Sequence, residues 1–213
     1  MSFATKNMLL SIVCLSAFNG MANAQISALR ARSEFNASDF VFDLQGSSPV
    51  TPGRGGTIRV AQIDQLPSLA KQGMSIALFN LDACTVNLPH VHPRATEMIY
   101  VTKGEQLRVA FVEENSGRTL VNDISAGMTT FFPEGLIHYQ QNLGCEPVEY
   151  VSALNSEDPG VLTISQRTLT LPDEALLATL NLTPGQLRRL RNGLPDGPAK
   201  GRLACRLRCK LGG

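Results

Sequence analysis

The three histidines of this 213-residue chain all lie in two short segments whose residue types and spacing suit metal binding. His90 and His92 are two positions apart, Glu97 follows them, and His138 lies further along the chain. Residues i and i+2 of a β-strand share a face, so His90 and His92 can bind one ion together. Imidazole nitrogens with a carboxylate oxygen suit Mn²⁺, Fe²⁺, Zn²⁺ or Cu²⁺. The sequence therefore predicts a divalent metal site made of His90, His92, Glu97 and His138.

Two turns must bring these ligands together. Glu97 has the wrong parity to share a face with His92 in an unbroken strand, but Pro93 cannot donate to a β-ladder, so we expect a turn or bulge at 93–96. A second turn at 133–135, marked by proline and glycine, precedes His138. Four protein ligands leave two positions open on an octahedral ion, unlike structural zinc sites, which are closed tetrahedra rich in cysteine.

The chain divides by composition into five segments. They are a signal peptide at 1–24, an N-terminal arm at 25–56, a β-domain at 57–171, two short helices at 172–194 and a flexible basic tail at 195–213. The signal peptide is predicted from a short apolar run that ends in a small-x-small cleavage site. The β-domain consists of short apolar runs separated by turn residues, which is typical of an all-β antiparallel sandwich or barrel.

Net charge and glycosylation sequons indicate which classes of partner the predicted mature chain can have. Without the signal peptide the chain has 18 basic and 18 acidic side chains, because Lys6 is the only charged residue of the signal. A formally neutral chain argues against a nucleic-acid partner, and no later segment is long enough to span a membrane. Asn36 and Asn181 begin sequons that a eukaryotic secretory pathway could glycosylate.

Four cysteines remain after signal removal, and an even number in a secreted chain favours disulfides. Paired positions in an antiparallel ladder keep a constant sum of residue numbers. The register that pairs His90 with His138 also brings Cys84 to within one position of Cys145. We therefore predict a Cys84–Cys145 bridge, with two buried free thiols as the alternative. A second, local bridge could join Cys205 and Cys209.

Two motifs resemble those of germin-type cupins. The first, H-x-H-x(4)-E-x(6)-G, runs from His90 to Gly104, and the second, G-x(5)-P-x-G-x(2)-H-x(3)-N, runs from Gly127 to Asn142. The sequence is similar to germins and spherulin-like proteins over roughly residues 40–192. One departure is Cys84, where germins usually have a glycine.

The resemblance implies a cupin jelly-roll β-barrel with short C-terminal α-helices and a buried Mn²⁺. It also implies a secreted homo-oligomer, a trimer or hexamer, in which the helices at 172–194 clasp a neighbouring subunit. The activities of the family include superoxide dismutation and oxalate oxidation. Two asparagine amides orient oxalate in the family's site. Asn87 matches one of them, although it could instead be a turn residue before Leu88 and Pro89. The other position falls at Ala77, so oxalate oxidation is disfavoured.

Three functional hypotheses follow. The chain could be a manganese-dependent oxidoreductase acting on superoxide or a small carboxylate. It could instead be a non-enzymatic cell-wall, spore-coat or storage protein with a structural metal, or a module that binds a sugar or another small molecule. We expect an apolar pocket that suits a small ligand, with lining residues Ile99, Val101, Phe131, Phe132 and Leu136.

Overall fold

Two antiparallel β-sheets pack face to face, and their inward side chains form the main core. The structure, a computed structural model, describes residues 33–46, 53–201 and 203–211. The strands are β1 (Gly56–Ala61), β2 (Ser75–Leu81), β3 (Thr85–Val91), β4 (Glu97–Lys103), β5 (Leu107–Val112), β6 (Thr119–Ile124), β7 (Thr129–Phe132), β8 (His138–Asn142), β9 (Val148–Leu154), β10 (Leu162–Thr163) and β11 (Ala199–Lys200). The predicted all-β architecture is confirmed.

The strand order explains how residues distant in the chain meet. One sheet has the order β1-β2-β9-β4-β7, and the other has the order β10-β3-β8-β5-β6 with β11 also paired to β3. In β3 and β8, His90 pairs with His138, as the register argument predicted. The two sheets enclose a core cluster that includes Phe79, Ile99, Leu107 and Tyr150.

Alternation along each strand produces that core. In β4, Glu97, Ile99 and Val101 are buried whereas Met98 and Tyr100 are exposed. Because successive side chains of a strand point to opposite faces, the inward set is apolar except for Glu97 at its first position. Glu97 thus shares a face with Ile99 and Val101, as the turn at 93–96 was expected to allow.

Two of the four described C-terminal helices pack on one another. The four are α1 (Ile164–Thr168), α2 (Asp173–Leu180), α3 (Pro184–Gly193) and α4 (Leu203–Arg208). Thr183 caps α3 by accepting a hydrogen bond from the Gln186 amide, with Pro184 at the first position of the helix. Leu176 and Leu187 are buried in a small second core between α2 and α3. The two helices therefore bury part of their apolar surface within the chain.

The last residues form what we call the C-terminal strap, residues 195–201 and 203–211, and they are ordered. Lys200 of β11 pairs with Thr85 of β3, and α4 follows. Two disulfides fasten the strap to the barrel, Cys84–Cys205 with a Cα–Cα distance of 5.7 Å and Cys145–Cys209 with 5.1 Å. The prediction of a flexible tail at 195–213 is therefore wrong for the described residues.

The predicted disulfide pairing is also wrong. The register that brought Cys84 close to Cys145 is sound, since the Cys84 amide donates to the Gly144 carbonyl oxygen at 3.2 Å. Each of these cysteines bonds instead to the strap, because Cys205 and Cys209 are one helical turn apart and present both sulfurs to the same place. The Sγ atoms of Cys84 and Cys209 are 3.6 Å apart, so the two bridges lie side by side.

The N-terminal segments are only partly described. The predicted signal peptide at 1–24 lies outside the described residues, as does part of the arm. The described arm contains a 3-10 turn at Ala37–Phe40, and the Ser68 hydroxyl donates to the Asp39 carbonyl oxygen at 2.5 Å. In the part of the chain that the structure describes, no helix has both the length and the apolar character needed to cross a membrane.

Candidate metal centre

The four predicted ligands lie together between the two sheets. His90 belongs to β3, and His92 is the first residue after that strand. Glu97 begins β4, and His138 begins β8. Their ligand atoms all lie within 4.8 Å of one another. Glu97 Oε2 is 2.9 Å from His138 Nε2 and 3.6 Å from His92 Nε2. The structure thus brings together the whole predicted set, and one cation could contact all four side chains.

Backbone carbonyls orient the three imidazole rings. His90 Nδ1 lies 2.7 Å from the Leu88 oxygen, and His138 Nδ1 lies 2.8 Å from the Leu136 oxygen. His92 Nδ1 lies 2.6 Å from the Gly160 oxygen. A carbonyl can only accept, so each Nδ1 carries the proton and each Nε2 is left with a lone pair for a metal. Such fixed tautomers are typical of metal-binding histidines.

The electrostatics of the cluster suit a cation. Burial, together with nearby His138, lowers the pKa of His90 to about 3, so this imidazole stays neutral. Burial by itself raises the pKa of Glu97, but hydrogen bonds with His138 and His92 outweigh it and hold the pKa well below its usual range. Burial likewise opposes a charge on His92, yet the hydrogen bond and charge of Glu97 raise its pKa.

A divalent ion fits this arrangement chemically. A buried carboxylate that remains ionised needs a compensating positive charge. In the absence of an ion only a shared proton on an imidazole can supply it. A divalent cation would contact the carboxylate and three nitrogen lone pairs at once. The cluster could therefore hold such an ion, with His90, His92, Glu97 and His138 as its protein ligands.

Ser152 supports Glu97 and was missed by the sequence analysis. The Ser152 hydroxyl donates to Glu97 Oε1 at 2.5 Å, and its side chain is fully buried. This bond occupies one carboxylate oxygen and leaves Oε2 toward the imidazoles. Its inward position could have been inferred from strand alternation, because Ser152 lies two and four positions after Tyr150 and Val148 on the inward face of β9. A small polar side chain among the large inward residues of β9 indicates a polar partner inside the barrel.

Asn142, the last residue of the second motif, has a structural role. Its Nδ2 lies within hydrogen-bond distance of the carbonyl oxygens of Leu81 (3.1 Å), Asp82 (2.9 Å) and Glu146 (2.7 Å). Its Oδ1 accepts from the Gly144 amide at 2.8 Å. The residue is fully buried, so it joins the ends of β2 and β8 where water cannot reach.

Backbone conformation explains why position 104 holds a glycine and why germins usually have a glycine at the position of Cys84. Gly104 has φ +111°, and a Cβ there would lie 2.6 Å from a Val148 methyl carbon, so any side chain would clash. Cys84 has φ +56°, in the left-handed region that favours glycine. The glycine usual in germins at this position is thus accounted for. Here the strained position holds a cysteine whose sulfur anchors the strap.

A cavity of about 230 Å³ opens onto the cluster from the side of His90, His92 and Glu97. Both positions expected to contact oxalate, Asn87 and Ala77, line it. The Asn87 amide nitrogen donates to Gln140 Oε1 at 2.8 Å.

The expected lining of this cavity was wrong. Ile99, Val101 and Phe132 are buried in the core, and Phe131 is exposed on the outer face of its sheet. Leu136 lines a different pocket. The apolar residues that line the metal cavity are instead Ile58, Val60, Ala77, Phe79, Leu88, Leu154 and Val161. They come largely from β1, β2 and β9, of which only Ala77 in β2 had been expected near the ligands.

The two sequon asparagines, Asn36 and Asn181, are both exposed. Asn36 caps the 3-10 turn at Ala37–Phe40, and Asn181 ends α2 in a left-handed conformation with φ 51°. Either side chain is sterically accessible to an attached glycan.

Comparison with known proteins identifies the family. A family model described as cupin matches residues 42–188, so the chain belongs to the cupin family. It is 36% identical to Spherulin-1A of Physarum polycephalum over 174 residues, covering 81% of this chain and 70% of the relative. It is 31% identical to germin-like protein subfamily 2 member 4 of Arabidopsis thaliana over 169 residues, covering 76% of each chain.

The fold agrees with this assignment. A solved structure of oxalate oxidase superposes with a TM-score of 0.63 at 26% identity, covering 74% of this chain and 84% of that chain. The predicted cupin fold and the resemblance to germin-like and spherulin-like proteins are confirmed.

Proposed function

We propose that the chain is a secreted, manganese-binding germin-like cupin that acts as an oxidoreductase on superoxide. The observation that carries this proposal is the convergence of three imidazole Nε2 atoms and Glu97 Oε2 at the inner end of a cavity. His90, His92 and Glu97 line the cavity, whereas His138 does not. The open positions of a bound ion would therefore face the cavity, where a small molecule can enter.

Manganese is the ion that the family resemblance implies, and the set of three nitrogens and one oxygen accepts it. Fe²⁺, Zn²⁺ and Cu²⁺ suit the same donors, and intrinsic affinity alone favours copper. Manganese would supply a one-electron couple between its divalent and trivalent states. With that couple, two superoxide ions and two protons yield dioxygen and hydrogen peroxide. The chain's own part is to hold the donors, keep Glu97 ionised and limit access to the cavity.

Oxalate is a poorer candidate for this site. Ala77 lines the cavity where a second amide would be needed, and alanine cannot donate a hydrogen bond. A hydrogen bond to a charged group contributes roughly 1.5–3 kcal/mol. At about 1.4 kcal/mol per decade, its loss corresponds to about ten- to more than a hundred-fold slower oxalate turnover. Similarity to oxalate oxidase therefore supports the fold and the metal site more than the substrate.

Metal analysis of the purified protein with parallel assays tests the proposal. We expect about one manganese per chain, modest dismutase activity that chelation removes and manganese restores, and weak or absent oxalate oxidation. Ala77→Asn should raise any oxalate activity, and exposed Ala37→Asn provides a matched control. A manganese-loaded protein inert toward superoxide would contradict the enzymatic proposal and favour a cell-wall, spore-coat or storage protein with a structural metal.

Secretion is part of the same proposal. The predicted signal peptide supports it, and two disulfides fit an oxidising compartment. The mature chain should begin near Gln25, which N-terminal sequencing of secreted material would establish. In a eukaryotic host, removal of N-glycans should reduce the mass at peptides containing Asn36 or Asn181. A protein retained inside the cell with its first 24 residues intact would contradict this part.

We also propose that copies of the chain assemble into a trimer or hexamer. The outer face of β4 and β7 supports this, because Met98, Tyr100 and Phe131 are each about half exposed, and Met98 pairs directly with Phe131. Such adjacent apolar side chains favour contact with another protein surface. Sedimentation should show an oligomer that Phe131→Lys reduces to smaller species and that Val121→Lys, on exposed β6, leaves intact. A wild-type monomer at micromolar concentration would refute assembly.

A further inference from the structure

The described lining of the cavity over the metal centre lacks the cationic side chains that would compensate the second charge of a doubly charged anion. Among the described residues that line it, none is Lys or Arg, and Glu97 is the only acidic side chain. With neutral imidazoles, a divalent ion beside Glu97 leaves a single net positive charge. A bound anion with one charge would make the site neutral. A second negative charge would be buried without a partner, which is strongly unfavourable.

Five amide or hydroxyl side chains of the described residues line the cavity, and three of them donate to acceptors within the protein; the other two are those of Gln62 and Thr163. Asn87 donates through its amide to Gln140, and the Ser152 hydroxyl donates to Glu97. Gln166 at the rim donates to the Pro195 carbonyl oxygen at 2.9 Å. A second carboxylate on a ligand would thus find at most the neutral donors of Gln62 and Thr163 and no cationic partner among the described lining residues. Most of the remaining lining is aliphatic or aromatic, and apolar surface of this kind favours an apolar ligand body.

The C-terminal strap narrows the cavity. Gly197 lines it and packs so closely against Leu88 that an added Cβ would lie 3.3 Å from two Leu88 side-chain atoms. The strap is held there by β11 and both disulfides. The cavity volume of about 230 Å³ suits a small ligand.

We infer that the cavity takes a singly charged carboxylate with a short apolar chain, bound through its carboxylate at the open metal positions. This inference rests on the proposed metal function, because the ion supplies the charge that the carboxylate neutralises. The apolar residues of β1, β2 and β9 contact the chain of the ligand, and the strap limits its length. Dicarboxylates bind more weakly, since nothing lining the cavity compensates their second charge.

Butanoate and succinate form a matched pair that tests this inference, since they have the same four-carbon chain and differ by one carboxylate. Binding to the manganese-loaded protein can be followed by water-proton relaxation, which falls as a ligand displaces water from the ion. We expect butanoate to bind at least about tenfold more tightly than succinate. From acetate to butanoate to hexanoate, affinity should rise by up to about fourfold per methylene until the cavity is full.

A charge introduced at the rim provides the second test. Val161 lines the cavity and is 58% exposed, so Val161→Lys should fold normally and place a cation near the ligand. It should reduce the preference for butanoate to less than about threefold, or reverse it, because the second carboxylate gains a partner. Val121→Lys, which lies away from the cavity, should leave the preference unchanged.

The two proposals fail in different ways. If the wild-type protein keeps its manganese through gel filtration but binds succinate as tightly as butanoate, the ligand class is wrong and the metal site stands. An affinity that does not change with chain length would likewise overturn the apolar part of the inference. If the protein takes up no manganese, the proposed function fails and this inference fails with it.

Discussion

The metal centre and the C-terminal strap both join distant parts of the chain, but by different means. The metal ligands lie between residues 90 and 138, and three strands and two turns bring them together. The strap is bonded across 121 residues at Cys84–Cys205 and across 64 residues at Cys145–Cys209. The first arrangement follows from local side-chain parity and could be predicted. The second depends on where the chain end returns, which no local pattern specifies.

The two regions also share neighbours. β3 carries His90 and pairs with β11 of the strap, and Gly197 of the strap lines the cavity above the ligands. The strap can therefore affect access to the metal without contributing a ligand to it. This separation can be tested, because changes to the ligands should abolish metal binding, whereas changes to the strap should chiefly lower stability.

The largest expected effect is on metal binding. His138→Ala removes a buried ligand and should weaken the affinity for manganese by at least about 100-fold, since even partners outside the ligand set affect affinity by 10–100-fold. Tyr139→Ala, on the neighbouring position of β8, is the matched control and should keep the metal. Calorimetric titration of the metal-free proteins measures both. An unchanged manganese affinity in His138→Ala would show that His138 is not a metal ligand.

The strap should matter next, through stability. Cys84→Ala with Cys205→Ala removes one bridge without leaving a free thiol beside Cys209. The free energy of unfolding should fall by on the order of 2–4 kcal/mol, because the denatured chain loses a long-range constraint. Denaturant unfolding measures the loss, and bound manganese should remain near one per chain. Loss of the metal at unchanged stability would show that the strap and the centre are not separable as described.

Asn142 tests the support that the barrel gives to the centre. Asn142→Ala leaves carbonyl oxygens of the β2 and β8 ends buried without their donor. The expected loss is about 2–3 kcal/mol of unfolding free energy, since each unsatisfied buried group costs about 1–3 kcal/mol. Asn122→Ala, on an exposed position of β6, should change it by less than about 0.5 kcal/mol. Equal effects of the two substitutions would contradict the structural role given to Asn142.

The smallest effect, taken per pH unit, is on the stability of the metal-free protein. The pKa of His90 is about 3 in the folded state and 6.5 for an unperturbed histidine, so below pH 6.5 the unfolded chain binds a proton that the folded chain does not. Stability should therefore fall as the pH is lowered from 6.5 toward 3. The slope from this group is at most about 1.4 kcal/mol per pH unit.

Glu97 adds to this loss below its ordinary pKa because its folded pKa is lowered, whereas the raised pKa of His92 acts in the opposite direction. His90→Gln should flatten the profile between pH 6.5 and 5, as followed by thermal unfolding at several pH values. An identical slope in the variant would show that His90 is not the group responsible.

The features that could be predicted from the sequence are those fixed by local residue patterns, whereas features fixed by long-range contacts could not. His90, His92, Glu97 and His138 were found because metal binding needs particular residue types and strand parity fixes their faces. The register of β3 and β8 was predicted for the same reason.

The disulfides were not predicted correctly. Four cysteines allow three connectivities, and proximity of Cys84 to Cys145 does not decide among them. The prediction of the cavity lining was wrong because the packing of the two sheets decides which residues of β1 and β2 face the ligands. Local sequence patterns do not specify that packing. The ordered strap was missed because its glycines and prolines are also typical of flexible tails, and a disulfide can fix such a segment regardless of its composition.

The central claim is that one divalent ion binds between β3, β4 and β8. An anomalous difference map from a crystal of the manganese-loaded protein, collected at the manganese absorption edge, tests it most directly. The account predicts a single strong peak per chain within coordination distance of His90 Nε2, His92 Nε2, Glu97 Oε2 and His138 Nε2. A peak at the sulfurs of Cys84, Cys205 and Cys209 instead, or none near the imidazoles at full manganese loading, would contradict it.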